Sequence, residues 1–397
     1  MSQTSKIAFG FSNCSDALFD RLIMKDNKYV LLTDQKYHRL LIQGLVNNGV
    51  TIHCYSGLPV NRNVTRKLYI HEKNDIELGV HYHYYKTLNI PILRQIMIFI
   101  EAFFSILFCK DVYNCLICDY MSIMNTYGMA LAAKIRKIPV VEIVKDIPGL
   151  MNTSGEPVKG IYKRIANLAD GFILLTKQMT DVVNIHDKPY IVLEGHVDAV
   201  LQELSRAEKW ELVSGKKVII YAGGIHKVFG IDKLVNGFIK ASIDDSELRI
   251  FGDGDYRHEL EEICKKYNNI RYMGVVKNTE IVNQEQKAAL LVNPRPTDPI
   301  YTRFSFPSKN LEYMVSGTPV LTTNLPGMPD EYKKYVYLIE NETVDGVAKA
   351  IRSVFADSFN ERCDKAYLAR QFVLENKSNN IQAKKILQFI SNSIYNA

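Results

Sequence analysis

Short apolar runs alternate with longer amphipathic stretches from one end of this 397-residue chain to the other. In the first half the strand-like runs are KIAFGF, TIHCYSG, CLICD, PVVEIV, GFILLT and YIVLEG. Helix-like segments such as YHRLLIQGLVNNG and MNTYGMALAAKIRK lie between them. In the second half the runs are KVIIYAGG, ELRIFGDG, IRYMGVV, ALLVNPR, PVLTTN and VYLIE, separated by helices that include IDKLVNGFIKAS, YRHELEEICKKY and SKNLEYMVSG. A parallel crossover needs a helix's length of chain, and wholly apolar strands need cover on both faces. The expected fold class is therefore α/β, with two Rossmann-like, doubly wound parallel-sheet domains facing a cleft.

A chain of this length exceeds one ordinary core. The alternation pauses at VDAVLQELSRAEKWELVSGKK, Val197 to Lys217. The expected domains are residues 1–200 and 201–375, followed by a helix in 376–397 that can cross back to the first domain. In such sheets ligands bind beyond the carboxyl ends of the strands, so the loops that follow strands are where function is sought.

Composition narrows the class less. With 47% hydrophobic and 23% charged residues the chain reads as globular. A net charge of +6 suits an anionic small molecule, an acidic membrane surface or nucleic acid, and selects none of them. Seven cysteines are scattered. The close pair Cys115 and Cys118 has no second pair to complete a zinc site, so no metal is expected and a reducing cytoplasm fits. The N-terminal MSQTSKIAFGFSN enters a strand-like run without a signal-peptide pattern. The most apolar segment, Ile96 to Cys109, is broken by Glu101 and is too short to span a bilayer. It reads as a buried helix or as a face lying on a membrane. Arg94 and the KIRK run Lys134 to Lys137 favour contact with anionic lipid.

Four loops of the second half stand out. YAGGIHK offers Gly223 and Gly224, which let a ligand approach the backbone, and Lys227, which can meet phosphate; a plain strand-to-helix turn with a solvated lysine is the alternative. FGDGDY offers Gly252, Asp253 and Gly254, or simply a tight turn, since Arg257 stands where a dinucleotide fingerprint needs its third glycine. NPR places Arg295 at a strand end, suited to bidentate contact with phosphate or carboxylate, or left as a surface arginine.

The fourth loop, FSFPSKNLEYMVSGTPV, is the most specific. Pro307 and Ser308 suit the start of a helix, Pro as lead-in and Ser as cap. A helix N-terminus presents unpaired N–H groups and the positive end of the dipole, and Lys309 adds a full charge where only an anion makes it favourable. Glu312 lies on the same face as Ser308 at i+4, placed to accept hydrogen bonds from a ribose diol. A capping box is excluded because its i+3 position is Leu311.

These residues, in this order, resemble the family 4 glycosyltransferases of GT-B fold, most closely the bacterial subgroup that builds capsular, exopolysaccharide and O-antigen chains. The shared pattern is NPR, FPSK, EYM.SG.PV and LPGMP.EY, covering about Lys217 to Tyr332. The resemblance implies a nucleotide-sugar donor, UDP- or GDP-linked, bound mainly by the second domain. It implies a glycan or lipid-linked glycan acceptor bound by the first, and metal-independent transfer with retention. It needs no other cofactor and no nucleic acid. Carried over residue by residue, Lys309, Arg295 and Lys227 form an electrostatic clamp on the diphosphate. Gly223, Gly224, Phe306, Ser308 and Asn310 border the donor, Glu312 takes the ribose, and Gly252, Asp253 and Gly254 border the base. Where many relatives carry a second glutamate, eight residues before Glu312, this chain has Phe304. On the acceptor side the candidates are Gly10, Ser12 and Asn13 in GFSN, with His196 in EGHVD. The alternatives that share such a cradle are a GT-B epimerase or phosphorylase and a non-catalytic nucleotide-sugar-binding protein. The expected location is cytoplasmic, peripheral on the inner face of the membrane.

Overall fold

The computed structural model describes residues 5–22, 32–60, 62, 65–149, 160–184, 186–203 and 209–395. Residues 204–208 of the boundary segment lie outside the described residues. The chain divides into two compact units, residues 1–196 with 379–397, and residues 197–378.

The first unit is built on strands β1 (Lys6–Phe11), β2 (Thr51–Ser56), β3 (Tyr69–Ile70), β4 (Asp75–Glu77), β5 (Val80–Tyr84), β6 (Thr87–Leu88), β7 (Cys115–Asp119), β8 (Val140–Val144), β9 (Gly171–Leu174) and β10 (Tyr190–Val192). Eight of them form one sheet in the order β10-β9-β8-β7-β1-β2-β5-β4, and β3 pairs with β6 alone. All neighbours in the sheet are parallel except β4, which runs antiparallel to β5. The stretch from β3 to β6 was not expected. In β5 the sequence VHYHY places histidines between its buried residues, so no apolar run announces a strand.

Alternate residues of β1 feed opposite faces of the sheet, as the two-residue period requires. Ile7, Phe9 and Phe11 pack with Leu41, Leu45, Ile386 and Phe389. Ala8 packs on the other side with Ala102, Ile106, Met129 and Ala133. The helix Asn379–Phe389 thus belongs to the first unit. Gly44 lets it approach, because a Cβ there would overlap the Asn379 carbonyl.

The second unit holds β11 (Lys217–Ala222), β12 (Ser246–Phe251), β13 (Ile270–Gly274), β14 (Leu290–Asn293), β15 (Val320–Thr323) and β16 (Tyr337–Ile339) in one parallel sheet, ordered β13-β12-β11-β14-β15-β16. Numbered within the unit, this is the 3-2-1-4-5-6 order of a doubly wound dinucleotide fold, whose strand order reverses between β11 and β14. The first sheet reverses in the same way between β1 and β7. These two switch points are where a ligand crevice opens at the carboxyl edge. Among the described residues no helix is long and apolar enough to cross a membrane.

Candidate functional site

The second unit's switch point is flanked by the loop after β11, with Gly223 and Gly224, and the loop after β14, with Arg295. A third segment, the helix Ser308–Val315, is bound to the ends of both strands. Its Tyr313 hydroxyl accepts from the Ala222 N–H at 2.9 Å, and its Asn310 Oδ1 accepts from Asn293 Nδ2 at 2.7 Å. Leu311, Met314 and Val315 bury one face of the helix. Gly317, at φ +73°, ends it before Pro319.

The start of this helix differs from the sequence expectation. Pro307, with φ −64° and ψ 118°, is the N-cap, and Ser308 is the first helical residue. Proline fixes the extended lead-in itself, which leaves the serine hydroxyl on the exposed side and no side chain capping the helix. The tip therefore keeps the donor character that a cap would have taken up.

Lys309 Nζ lies 3.0 Å from Glu312 Oε2, with side chains 35% and 28% exposed. Burial disfavours the ammonium, but the Glu312 and Glu285 carboxylates outweigh it and hold Lys309 above its ordinary value. It is thus a fixed cation at the helix tip. Arg295 is held differently. Its guanidinium lies 4.8 Å from the Phe229 ring and 5.2 Å from the Tyr301 ring, and its Nε is buried without a partner. Among the described residues no acid or carbonyl engages that guanidinium. Stacking between rings aims its donors without consuming them.

Lys227 is more than half exposed and pairs with Glu259 at 2.6 Å. That hydrogen bond raises its pKa above the ordinary lysine value, but an exposed pair of this kind is weak and exchangeable.

The glycines have a packing role. The loops after β11 and β12 are zipped together by Gly223 N–H to Phe251 O at 3.0 Å and by Ile225 N–H to Asp253 O at 2.9 Å. A Cβ on Gly252 would overlap the Gly223 carbonyl oxygen, and one on Gly254 would overlap that of Ile225. Asp253 turns back to accept the Gly254 N–H at 3.0 Å. Phe306 is buried, its ring 4.9 Å from that of Tyr332. Phe304 is buried as well.

In the first unit Gly10 sits within β1, where a Cβ would collide with Met129. Ser12 and Asn13 follow β1 at the switch point. Ser12 Oγ donates to Gly57 O at 2.7 Å, and Asn13 is fully buried with its Nδ2 unpartnered. His196 Nε2 lies 2.8 Å from Tyr37 O, and burial pushes its pKa down to about 4. The structure brings a further group to this edge that the sequence reading missed. Nε2 of His38 lies 2.9 Å from both Asp119 Oδ2 and Lys145 Nζ, and Lys145 also meets Asp34 at 2.9 Å. Asp119 ends β7 and Lys145 follows β8. Burial opposes both charges, but each outweighs it for the other: Lys145 holds Asp119 well below the usual carboxylate range, and Asp119 with Asp34 holds Lys145 above its own. A charged residue closing an otherwise apolar strand was the available signal.

Residues 205–372 match the family described as glycosyl transferases group 1. No curated protein matches the sequence. Solved structures resemble the whole chain at low identity. A glycosyltransferase from Rickettsia africae is 13% identical with a TM-score of 0.69, covering 100% of both chains. Sucrose-phosphate synthase from Thermosynechococcus elongatus is 14% identical with a TM-score of 0.66, covering 99% of this chain and 100% of that one. Anabaena HepE in complex with UDP is 13% identical with a TM-score of 0.64, covering 98% and 99%. These likenesses give the GT-B fold, and the match to glycosyl transferases group 1 over residues 205–372, within the second unit, marks that unit as a glycosyltransferase domain.

Proposed function

We propose that the enzyme moves a sugar from a nucleoside-diphosphate sugar, UDP- or GDP-linked, to a glycan or lipid-linked glycan acceptor in surface polysaccharide synthesis. Transfer proceeds with retention and without a metal. The observation that carries this reading is the unpaired, ring-stacked Arg295 guanidinium, two residues beyond the Asn293 that anchors the uncapped helix tip. Anabaena HepE, of like fold, holds UDP and UDP-glucose, which favours UDP as the first donor to try.

As the bond between sugar and phosphate breaks, negative charge grows on the departing diphosphate. Fixed donors aimed there stabilise the transition state without reorganising. The N–H groups at the Ser308 tip, Lys309 and Arg295 serve as those donors, and Lys227 joins by exchanging Glu259 for phosphate. Glu312, released from Lys309, accepts from the ribose hydroxyls. Gly223 and Gly224 leave backbone room beside the phosphates, Asn310 keeps the tip in register, and Gly252 to Gly254 border the base. The departing phosphate oxygen takes the acceptor's proton, so no protein base is required. Ser12, Asn13 and His196 mark the acceptor side, beside the Asp119 and Lys145 pair.

A thermal-shift screen against nucleotide sugars tests donor choice, since stabilisation grows with the logarithm of concentration over affinity. Product analysis then looks for a new glycosidic bond. Lys309→Ala is expected to lower turnover about 100-fold, the usual effect of losing one preorganised donor. Glu312→Ala is expected to raise the donor KM with kcat less affected. Near-normal activity in both folded variants would overturn the clamp.

A further inference from the structure

The helix Pro91–Leu107 carries a ridge of exposed apolar side chains that the fold leaves uncovered. Ile92 is 79% exposed, Ile96 49%, Ile100 46%, Phe104 47% and, just past the helix, Phe108 73%. They recur every four residues over about 24 Å of helix, while Ile98, Ala102 and Ile106 bury the opposite side. Single exposed apolar residues are ordinary, but a continuous row is an interaction face.

Positive charge lies at both ends of the ridge. Asn89, two residues before the helix, clamps the preceding loop: its N–H donates to Leu68 O at 2.7 Å and its Nδ2 to Thr65 O at 2.9 Å. Arg62 Nε donates to Asn89 O at 2.9 Å. Arg62, Arg66, Lys67 and Lys86 are thereby gathered near the helix start, all exposed, with Leu68 and Tyr69 exposed beside them. Lys110 and Val112 are exposed beyond the other end. Glu101 is the helix's single acid. Of the basic residues singled out in the sequence, Lys137 is exposed and the other three are engaged elsewhere. Arg94 turns in to the Leu58 carbonyl, Lys134 pairs with Asp170 at 2.6 Å, and Arg136 donates to Ile106 O and Asp111 O at the helix end.

We infer that this helix is a docking face for an anionic bilayer, lying in the headgroup plane with Ile92, Ile96, Ile100, Phe104 and Phe108 inserted among the acyl chains. An apolar ridge flanked by cations is what an in-plane helix needs: the ridge supplies burial and the cations meet lipid phosphates. A second copy of the chain fits the charges poorly, because pairing two ridges in either direction sets cations against cations. The face belongs to the first unit and the donor loops to the second, and flotation is read without sugar transfer.

The test is flotation of the full chain with vesicles of phosphatidylcholine alone or mixed with phosphatidylglycerol, at low and high salt. Binding is expected only with phosphatidylglycerol present, and it should weaken at high salt. Ile96→Glu/Ile100→Glu/Phe104→Glu should lower it about tenfold or more, as should Arg66→Glu/Lys67→Glu. Phe104→Ser/Phe108→Ser is the milder second variant, and an unchanged thermal shift with UDP reports an intact second unit. The inference is overturned if the wild type stays unbound at low salt. It is equally overturned if binding ignores both sets of substitutions, or if the glutamate variant dissolves a dimer without changing flotation.

Discussion

The Tyr313 hydroxyl both accepts from the Ala222 N–H at 2.9 Å and donates to the Ala222 carbonyl at 3.3 Å. One buried side chain thus sets where the helix Ser308–Val315 sits against the end of β11. Tyr313→Phe keeps the packing but strands both backbone groups. An unsatisfied buried polar group costs about 1–3 kcal/mol, so urea denaturation should show a loss of that size. Donor affinity should fall with it, because the tip moves relative to the Gly223 loop. Unchanged stability would mean that another group takes over the bonds to Ala222.

Gly252 combines a φ of +131° with a backbone contact to Gly223 that leaves no room for a side chain. Gly252→Ala is expected to destabilise the second unit by more than about 2 kcal/mol, through both strain and collision. Gly160, at the start of a helix with nothing within reach of a Cβ, is the control. Its alanine variant should be close to neutral in the same denaturation series.

Stability should fall on both sides of neutral pH. Burial pushes His53 and His196 down to about 4, against an ordinary 6.5. Between those values the unfolded chain takes up protons that the folded chain refuses, so stability is lost as pH drops from 6.5 to 4. Glu142, fully buried in β8 with neither oxygen partnered, has its pKa pushed well above the ordinary carboxyl value by burial and the nearby Asp119. Here the folded chain holds a proton that the unfolded chain releases, and stability falls as pH rises above 4.5 through the folded value. Thermal melts from pH 4 to 9 check both limbs. Glu142→Met should flatten the alkaline limb and raise stability at neutral pH, since it removes an unpaired buried polar group.

Much of the fold was legible because most of its central strands are runs dominated by apolar residues. CLICD and VVEIV are β7 and β8, buried along their whole lengths, and the helix Ile231–Ala241 after β11 carries the complementary amphipathic period, burying Ile231, Leu234, Val235 and Phe238. VHYHY was missed because its polar positions, His81 and His83, are histidines stacked on His53 of β2 at 4.6 and 5.4 Å, which no sequence period reveals. At the candidate site, loop chemistry was enough to single out Arg295, Lys309 and Glu312. The cap was misassigned because Pro307 and Ser308 both suit helix starts, and only the backbone angles choose between them. His38, Asp119 and Lys145 are scattered along the sequence and meet because β7 and β8 are neighbours in the sheet and the helix Leu32–Asn47 lays His38 on Phe11 of β1. Arg94, by contrast, looked like a surface cation and is mostly buried, held at a backbone carbonyl.

The central claim is that the helix tip at Ser308, with Lys309 and Arg295, holds a diphosphate. Calorimetric titration of the wild type and of Lys309→Ala with UDP and with uridine, in the presence of EDTA, tests it most directly. The account predicts that the wild type binds UDP far more tightly than uridine without any metal. It also predicts that Lys309→Ala loses most of that difference while its weak uridine binding is unchanged. Equal affinities for UDP and uridine in the wild type, or a preference for UDP untouched by Lys309→Ala, would contradict it.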